Sequence, residues 1–234
     1  MKKLLLYLLL TLLLTTGCSF FNSTKGPVET VTKTIELQED TTLGEIELSF
    51  GVGKLQFIGS STHLMDGTFT SNIDSLMPKF DHRERSQKEL LSIKPRSTGL
   101  NISGNIANDW KLAFSNEIPL SFLLKLGVGE NNLSFAGLII EDLNVNAGVG
   151  DTVIDLSEVK NNDFNVDVSS GVGRTKLIFS EEHAVHIKIS KGLGSVSARG
   201  FISNGDIYET DVESEEVVNV TIKQGIGEIV LETK

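Results

Sequence analysis

The stretch LSFLLKLGVGENNLSF, residues 120–135, decides the fold of this chain. Apolar side chains occupy every second position from Leu120 to Leu124, which is the period of a β-strand with one buried face. Beyond the central Val128 the alternation resumes at Leu133, an odd number of positions later. An odd offset reverses the buried face, so the pattern predicts two short strands that meet at a corner made by the two glycines.

The same Gly-hydrophobic-Gly motif recurs along the chain, and its glycines are predicted to form structural corners. The last five copies are separated by 21, 23, 21 and 33 residues, and the longest unit carries a loop around Asn204-Gly205-Asp206. Glycine suits a corner because it adopts positive φ and lets adjacent turns approach closely. A phosphate-binding loop would need a following helix, whereas each copy here is followed by more strand pattern. The six copies are Gly51-Val52-Gly53, Gly127-Val128-Gly129, Gly148-Val149-Gly150, Gly171-Val172-Gly173, Gly192-Leu193-Gly194 and Gly225-Ile226-Gly227.

A unit of this size cannot bury its apolar face alone, but stacked units bury a continuous core. The predicted fold class is therefore all-β, a right-handed parallel β-helix or β-solenoid with repeats of about 21–23 residues and additional N-terminal strands. Residues 59–120 lack the motif but still alternate, which predicts strands packed over the N-terminal end. Within them, residues 83–91 are interpreted as a short helix or a loop.

The N-terminus has the features of an exported lipoprotein. Residues 1–17 combine two lysines with a short apolar run and small residues, which is typical of a signal peptide. Cys18, the single cysteine, follows as in a lipobox and is the predicted lipidation site. Residues 18–30 then form the lipidated cysteine and a polar tether, and residues 31–234 form the β-solenoid domain. The alternative is ordinary secretion, with Cys18 left as a free thiol.

The net charge and the cysteine content argue against several classes of partner and of metal site. Without Lys2 and Lys3, 19 basic residues face 31 acidic ones, a net charge of −12. This sign argues against nucleic acid and against anionic lipid headgroups as partners. With Cys18 as the only cysteine, neither a disulfide nor a thiolate metal site is expected.

Candidate catalytic and metal-ligating residues are few and scattered. His183 and His186 lie near Glu181 and Glu182 and could supply metal ligands, but His186 alternates with apolar neighbours and is expected to face solvent. Carboxylate pairs at Asp151 and Asp155, and at Asp163 and Asp167, could bind calcium, although solvated strand edges explain them as well. The other two histidines are His63 and His82. We predict no catalytic residues, no metal site and no cofactor.

Several stretches together resemble the toast-rack domain family, over residues 105–234 closely and over residues 31–104 loosely. That family stands beside the LiaF-type cell-wall-active antibiotic response proteins and the candidate adhesins with similar Gly-x-Gly β-solenoids. The resemblance implies a β-solenoid on the outer face of a membrane, linked in some relatives to the sensing of envelope stress. The stretches are Trp110-Lys111-Leu112, Ile118-Pro119-Leu120, Leu126-Gly127-Val128-Gly129, Leu133, Ala147-Gly148-Val149-Gly150 and Ser170-Gly171-Val172-Gly173.

Two classes of function remain open. The first is an interaction module held by a lipid in the cell membrane or outer membrane, facing the periplasm or exterior. It would bind an envelope protein or glycan, in stress response or adhesion. The second is a structural envelope lipoprotein without a dedicated ligand. A polysaccharide-acting β-helix enzyme would need a basic or paired-carboxylate cluster on one face of the stack. The Lys and Arg residues are scattered and form no such cluster, so we predict that the chain is not an enzyme.

Overall fold

A computed structural model describes residues 26–97 and 105–234. Two predicted features lie outside the described residues: the signal peptide with Cys18 and the tether up to residue 25. The same is true of Leu100, Asn101 and Ile102, which belong to the alternating region 59–120. One short 3-10 turn, Asp74–Leu76, accompanies the strands. The strands are β1 (Glu29–Ile35), β2 (Leu43–Ser61), β3 (Met65–Ser71), β4 (Pro78–Arg85), β5 (Lys88–Pro95), β6 (Asn108–Ser115), β7 (Pro119–Ser134), β8 (Ile139–Asp155), β9 (Phe164–Phe179), β10 (Val185–Arg199), β11 (Ile202–Asn204), β12 (Ile207–Glu209) and β13 (Val218–Thr233).

Each repeat unit is one long strand that bends at its Gly-x-Gly motif. In β7 the alternating apolar positions before the corner are buried, and Leu120 and Leu124 are fully inaccessible. After the corner, Leu133 is buried. The strand thus has two arms, and both direct alternate side chains into one core. Strands β2, β8, β9 and β13 repeat this arrangement, whereas in β10 the side chains after the corner, Val196 and Ala198, are only half-buried. The β-solenoid predicted from the alternation is confirmed.

The six bent strands stack in parallel and in register, but they do not stack in sequence order. Their order is β2, β7, β8, β9, β13, β10, so β13 is inserted between β9 and β10. At the corners, Gly173 pairs with Gly227 and Gly194 also pairs with Gly227. The spacing of the motifs along the sequence does not reveal this exchange of the last two units.

The additional N-terminal strands predicted from residues 59–120 cover the first bent strand. Strand β5 pairs with β2 before the corner, along Leu43–Leu48, and β6 pairs with β2 after it. The sheet then continues antiparallel, from β5 to β4 on one arm and from β6 through β3 to β1 on the other. Strand β1 begins at Glu29, two residues before the domain boundary expected at residue 31.

The interpretation of residues 83–91 as a short helix or a loop is wrong. They form the end of β4, a two-residue turn and the start of β5, and Arg85 pairs with Lys88 across the turn. The turn residues Ser86 and Gln87 have positive φ, 53° and 65°, a conformation that closes a two-residue hairpin. Neither residue is a glycine, so the sequence lacks the usual hairpin signal.

The loop of the longest unit is partly regular. Residues 202–209 form a small hairpin, β11–β12, and β12 pairs with His186–Lys188 of β10. The hairpin covers the first arm of β10 at the C-terminal end of the stack. Aromatic side chains fill the opposite end of the core, where Phe57, Phe114, Phe122 and Phe135 pack edge to face.

Candidate interaction surfaces

The corners are built from glycines that pack directly against the neighbouring strand. The second glycine of each motif has a positive φ, between 125° at Gly53 and 151° at Gly129. A Cβ added to Gly173 would overlap the carbonyl oxygen of Gly150 in the adjacent strand, and the same holds for the equivalent glycine in each other bent strand. The corner therefore requires both an unusual backbone conformation and the absence of a side chain.

The hydrophobic residue between the two glycines points outward. Val128, Val149 and Val172 are 53%, 50% and 44% exposed, and Ile226 and Leu193 are 51% and 71% exposed. In a straight strand these positions would be in phase with the buried side chains, but the bend turns them to the convex side of the corner. We call this row the corner ridge, consisting of Val52, Val128, Val149, Val172, Ile226 and Leu193, which pair in register from strand to strand.

A second surface is a groove on the outer face of the first arm. We call it the outer groove; it has a volume of about 530 Å³ and is lined by side chains from β2, β4, β5, β7 and β8. Two leucines in it, Leu90 and Leu123, are each 36% exposed. Charged pairs frame it, with Arg83 Nη2 2.6 Å from Asp81 Oδ2 and Lys125 Nζ 2.5 Å from Glu47 Oε1. The outer groove thus combines apolar contact area with fixed charges of both signs.

The Asp142 carboxyl at the edge of the outer groove has a shifted pKa. Burial raises its pKa, and the nearby Asp167 and Glu141 carboxylates raise it further, whereas a hydrogen bond donated by Asn144 opposes the shift. Three carboxylates therefore lie close together on this face of β8 and β9. Such a group favours a cationic or hydrogen-bond-donating ligand over an anionic one.

The histidines do not gather into one site. His186 lies on the exposed face, as expected from its alternation, and its Nδ1 is 2.7 Å from Glu209 Oε1. His82 Nε2 lies 2.7 Å from Glu89 Oε2. His183 is only 4% exposed, and burial lowers its pKa. The sequence did not predict this burial because it involves a distant segment. Thr210, directly after β12, donates from Oγ1 to the His183 carbonyl oxygen.

A serine, a histidine and an aspartate meet after β2, but not as a catalytic triad. Ser61 Oγ donates to Asp66 Oδ2 at 2.5 Å, and His63 Nδ1 lies 2.9 Å from the same oxygen. A nucleophilic serine needs its hydroxyl directed at a histidine nitrogen whose other nitrogen is held by the acid. Here the serine and the histidine both contact the carboxylate, so Asp66 organises a turn.

The aspartates considered for calcium are engaged in other contacts or lie apart. Asp155 accepts hydrogen bonds from Ser157 and from Lys234 Nζ, the latter at 2.8 Å. Asp151 is exposed beside the corner, whereas Asp163 precedes β9 and Asp167 lies within it. Over residues 26–97 and 105–234, no group of three or more His, Cys, Asp or Glu side chains is arranged to hold a metal ion. In the same ranges, no helix is long and apolar enough to cross a bilayer.

Comparison with known proteins identifies the family. Residues 24–178 match the family described as the N-terminal domain of toast_rack, DUF2154. The chain belongs to the toast-rack family. The resemblance to this family is thus confirmed, and the matched range of this toast-rack protein includes the first four of its six corners. No curated protein matches the chain.

Among solved structures, one has a closely similar fold. A candidate cell adhesion protein from Clostridium sporogenes is 30% identical, with a TM-score of 0.83 over 88% of this chain and 100% of that chain. A candidate adhesin from Bacteroides fragilis is 14% identical, with a TM-score of 0.31 over 87% of this chain and 96% of that chain. The similarity to the first protein covers 88% of this chain and therefore extends beyond residue 178, where the family match ends.

Proposed function

We propose that this toast-rack protein is a lipid-anchored, non-catalytic interaction module of a bacterial cell envelope that binds a protein or glycan in its outer groove. The observation that carries the proposal is the composition of the groove. Leu90 and Leu123 offer apolar area there, and paired charges surround them. Recognition surfaces commonly combine apolar contact area with polar groups that fix orientation.

Adhesion is the role that the comparisons favour. The 30% identical protein from Clostridium sporogenes carries the description of a cell adhesion protein, and it spans most of this chain. An adhesin needs a rigid, extended scaffold that presents a binding face away from its anchor. Stacked units with a shared core meet that need, because each strand is held by its neighbours on both sides.

The test is site-specific photo-crosslinking in intact cells. A photoreactive residue replaces Leu123 in the groove or, as the control, Ile202, which is 62% exposed on the C-terminal hairpin. We expect a discrete adduct from position 123, lost when Leu90 is changed to Ser in the same chain, and no adduct from position 202. Equal labelling at both positions would contradict the groove and would favour a structural lipoprotein without a dedicated ligand.

A further inference from the structure

The corner ridge is a continuous line of aliphatic side chains along the corners of the stacked strands. Six aliphatic side chains, one from each bent strand, lie side by side in register. At about 4.8 Å between strands they extend over roughly 24 Å. Five of the six are 44% to 71% exposed. Burial of such side chains would be favourable, so their exposure in five adjacent units calls for something that covers them.

The chain enters the sheet on the same side as the corners, at the end of the stack where the ridge begins. The Gly26 amide donates to the Asn72 carbonyl oxygen at 2.9 Å, and the Asn72 amide donates to the Ala107 carbonyl oxygen at 3.0 Å. The next residue, Asn108, donates from Nδ2 to the carbonyl oxygen of Val52 at 2.6 Å. Val52 is the first residue of the ridge. The polypeptide that leads toward Cys18 therefore leaves on the corner side of the sheet, three strands beyond Val52, or about 14 Å from it.

A tether that starts there is short. Gly26 is eight positions after Cys18. Even a fully extended chain of that length reaches only about 27 Å. A lipid on Cys18 would thus hold Gly26, on the corner side of the sheet, within about 27 Å of the lipid.

The charge beside the ridge differs in sign from the charge of the whole chain. Within three positions of the six ridge residues stand five basic and three acidic residues, a net charge of +2, whereas the chain carries −10. Lys223 forms no ion pair with any described residue. Lys191 donates to the carbonyl oxygen of Gly194, and it lines a shallow depression beside the ridge together with Lys223. The overall acidity argues against anionic lipid. Beside the ridge, Lys54, Lys125 and Arg174 are paired with glutamates, so Lys191 and Lys223 are the cations that could meet anionic headgroups.

We propose that the corner ridge lies against the phospholipid surface in which the chain is anchored, with its aliphatic side chains at the headgroup boundary and Lys191 and Lys223 near anionic headgroups. The proposal rests on the lipid anchor of the proposed function. Exposed aliphatic side chains flanked by cations bind such a boundary through apolar burial and attraction to anionic lipid. A second copy fits the ridge less well, because a row one side chain wide offers much less than the roughly 800 Å² per partner of a stable interface.

The experiment places a reporter on the ridge of the anchored protein. With Cys18 acylated, Val149→Cys supplies the single free thiol, which carries a polarity-sensitive fluorophore. The lipidated chain is reconstituted in vesicles of phosphatidylcholine and phosphatidylglycerol that contain a headgroup-level spin-labelled lipid. The matched control is Ile58→Cys, also an exposed aliphatic position at 62%, six residues beyond the corner in β2.

We expect a blue shift at position 149 and quenching by the spin-labelled lipid several-fold stronger than at position 58. Equal spectra and equal quenching at the two positions would overturn the proposal. A blue shift at position 149 that grows with protein concentration without vesicles would also overturn it, and would identify a second copy as the occupant.

The dependence on the anchor is separated by a second measurement. The unanchored chain with Cys18→Ala and Val149→Cys is added to the same vesicles at millimolar lipid, and the blue shift should persist in a weaker form. It should diminish further when Val128 and Val172 are changed to Thr. Failure of the wild-type chain to associate with vesicles at all would count against the lipid anchor. Association with an unshifted spectrum at position 149 would count against the ridge alone.

Discussion

Gly227 stacks on Gly173, fifty-four residues earlier in the chain, and Gly194 stacks on the other side of Gly227. The last repeat in the sequence therefore lies between the two repeats that precede it. Strand β10 does not pair with β9, and β13 occupies the position between them. A Cβ on Gly227 would overlap the carbonyl oxygen of Gly173, so the inserted strand packs as closely as its neighbours. The C-terminal strand is consequently an internal element of the stack.

A buried polar contact holds the inserted strand, and its loss should destabilise the protein. Thr175 Oγ1 donates to Gln224 Oε1 at 2.8 Å, and Gln224 Nε2 donates to the Gly173 carbonyl oxygen at 2.9 Å. Both side chains are buried. Gln224→Ala leaves these groups without partners and should lower the free energy of unfolding by about 1–3 kcal/mol in urea titration. The control Lys223→Ala, at an exposed position next to it, should change it by less than about 0.5 kcal/mol.

The first glycine of the motif should tolerate alanine at one end of the stack and not within it. A Cβ on Gly127 would overlap the Gly51 carbonyl oxygen, whereas a Cβ on Gly51 meets no atom within 4 Å. Gly127→Ala should lower the free energy of unfolding by about 1–3 kcal/mol. Gly51→Ala should leave it unchanged or raise it by up to about 1 kcal/mol, because alanine restricts the unfolded chain. Equal losses in the two variants would refute the close packing of the corners.

Asp66 should contribute stability that disappears in acid. Burial tends to raise its pKa, but hydrogen bonds from Ser61, Thr34 and His63 outweigh that effect and lower the pKa from 3.8 to about 2. A carboxyl whose pKa is lower in the folded state stabilises the protein above its unfolded pKa and loses this contribution as the pH falls through its folded value. The stability advantage of the wild type over Asp66→Asn should therefore decline between about pH 4 and pH 2. A difference that stays constant over that range would contradict the assignment.

His183 should make the protein less stable in mild acid. Its side chain is buried, its Nδ1 has no hydrogen-bond partner among the described residues, and burial lowers its pKa from 6.5. Folding then favours the neutral imidazole, so the stabilisation is present above the unfolded pKa and is lost as the pH falls below it. Thermal melting should show a smaller decrease between about pH 7.5 and pH 5 for His183→Leu than for the wild type. Parallel decreases would mean that His183 is hydrated.

Cys18→Ala should release the protein from the membrane fraction of cells that produce it. A lipid on this single cysteine is the proposed anchor, and acyl chains provide most of the membrane affinity of such proteins. The matched control Ser19→Ala keeps the cysteine and should remain in the membrane fraction. Quantitative immunoblotting of soluble and membrane fractions measures the distribution. A Cys18→Ala chain that still sediments entirely with membranes would exclude the lipobox interpretation.

Local periodicity allowed much of this architecture to be predicted. The alternation at Leu120, Phe122 and Leu124 identifies strands because side chains of a strand alternate between its two faces. The change of parity after Val128 identifies the corner. Both properties depend on residues close together in the chain, which is why the sequence alone determined an all-β repeat fold with glycine corners. It also indicated the toast-rack family through those same motifs.

Contacts between distant residues decided the remainder. Units with the same pattern and corner accept one another as neighbours in either order, so only the packed structure placed Gly227 between Gly173 and Gly194. The outward direction of Val149 depends on the bend angle, which parity does not contain. His183 is buried, and its carbonyl oxygen accepts a hydrogen bond from Thr210, 27 residues away in the chain. The stacking order, the corner ridge and the outer groove each arise from several strands. Parallel strands pair through contacts between residues far apart in the chain, so the sequence of one unit does not determine them.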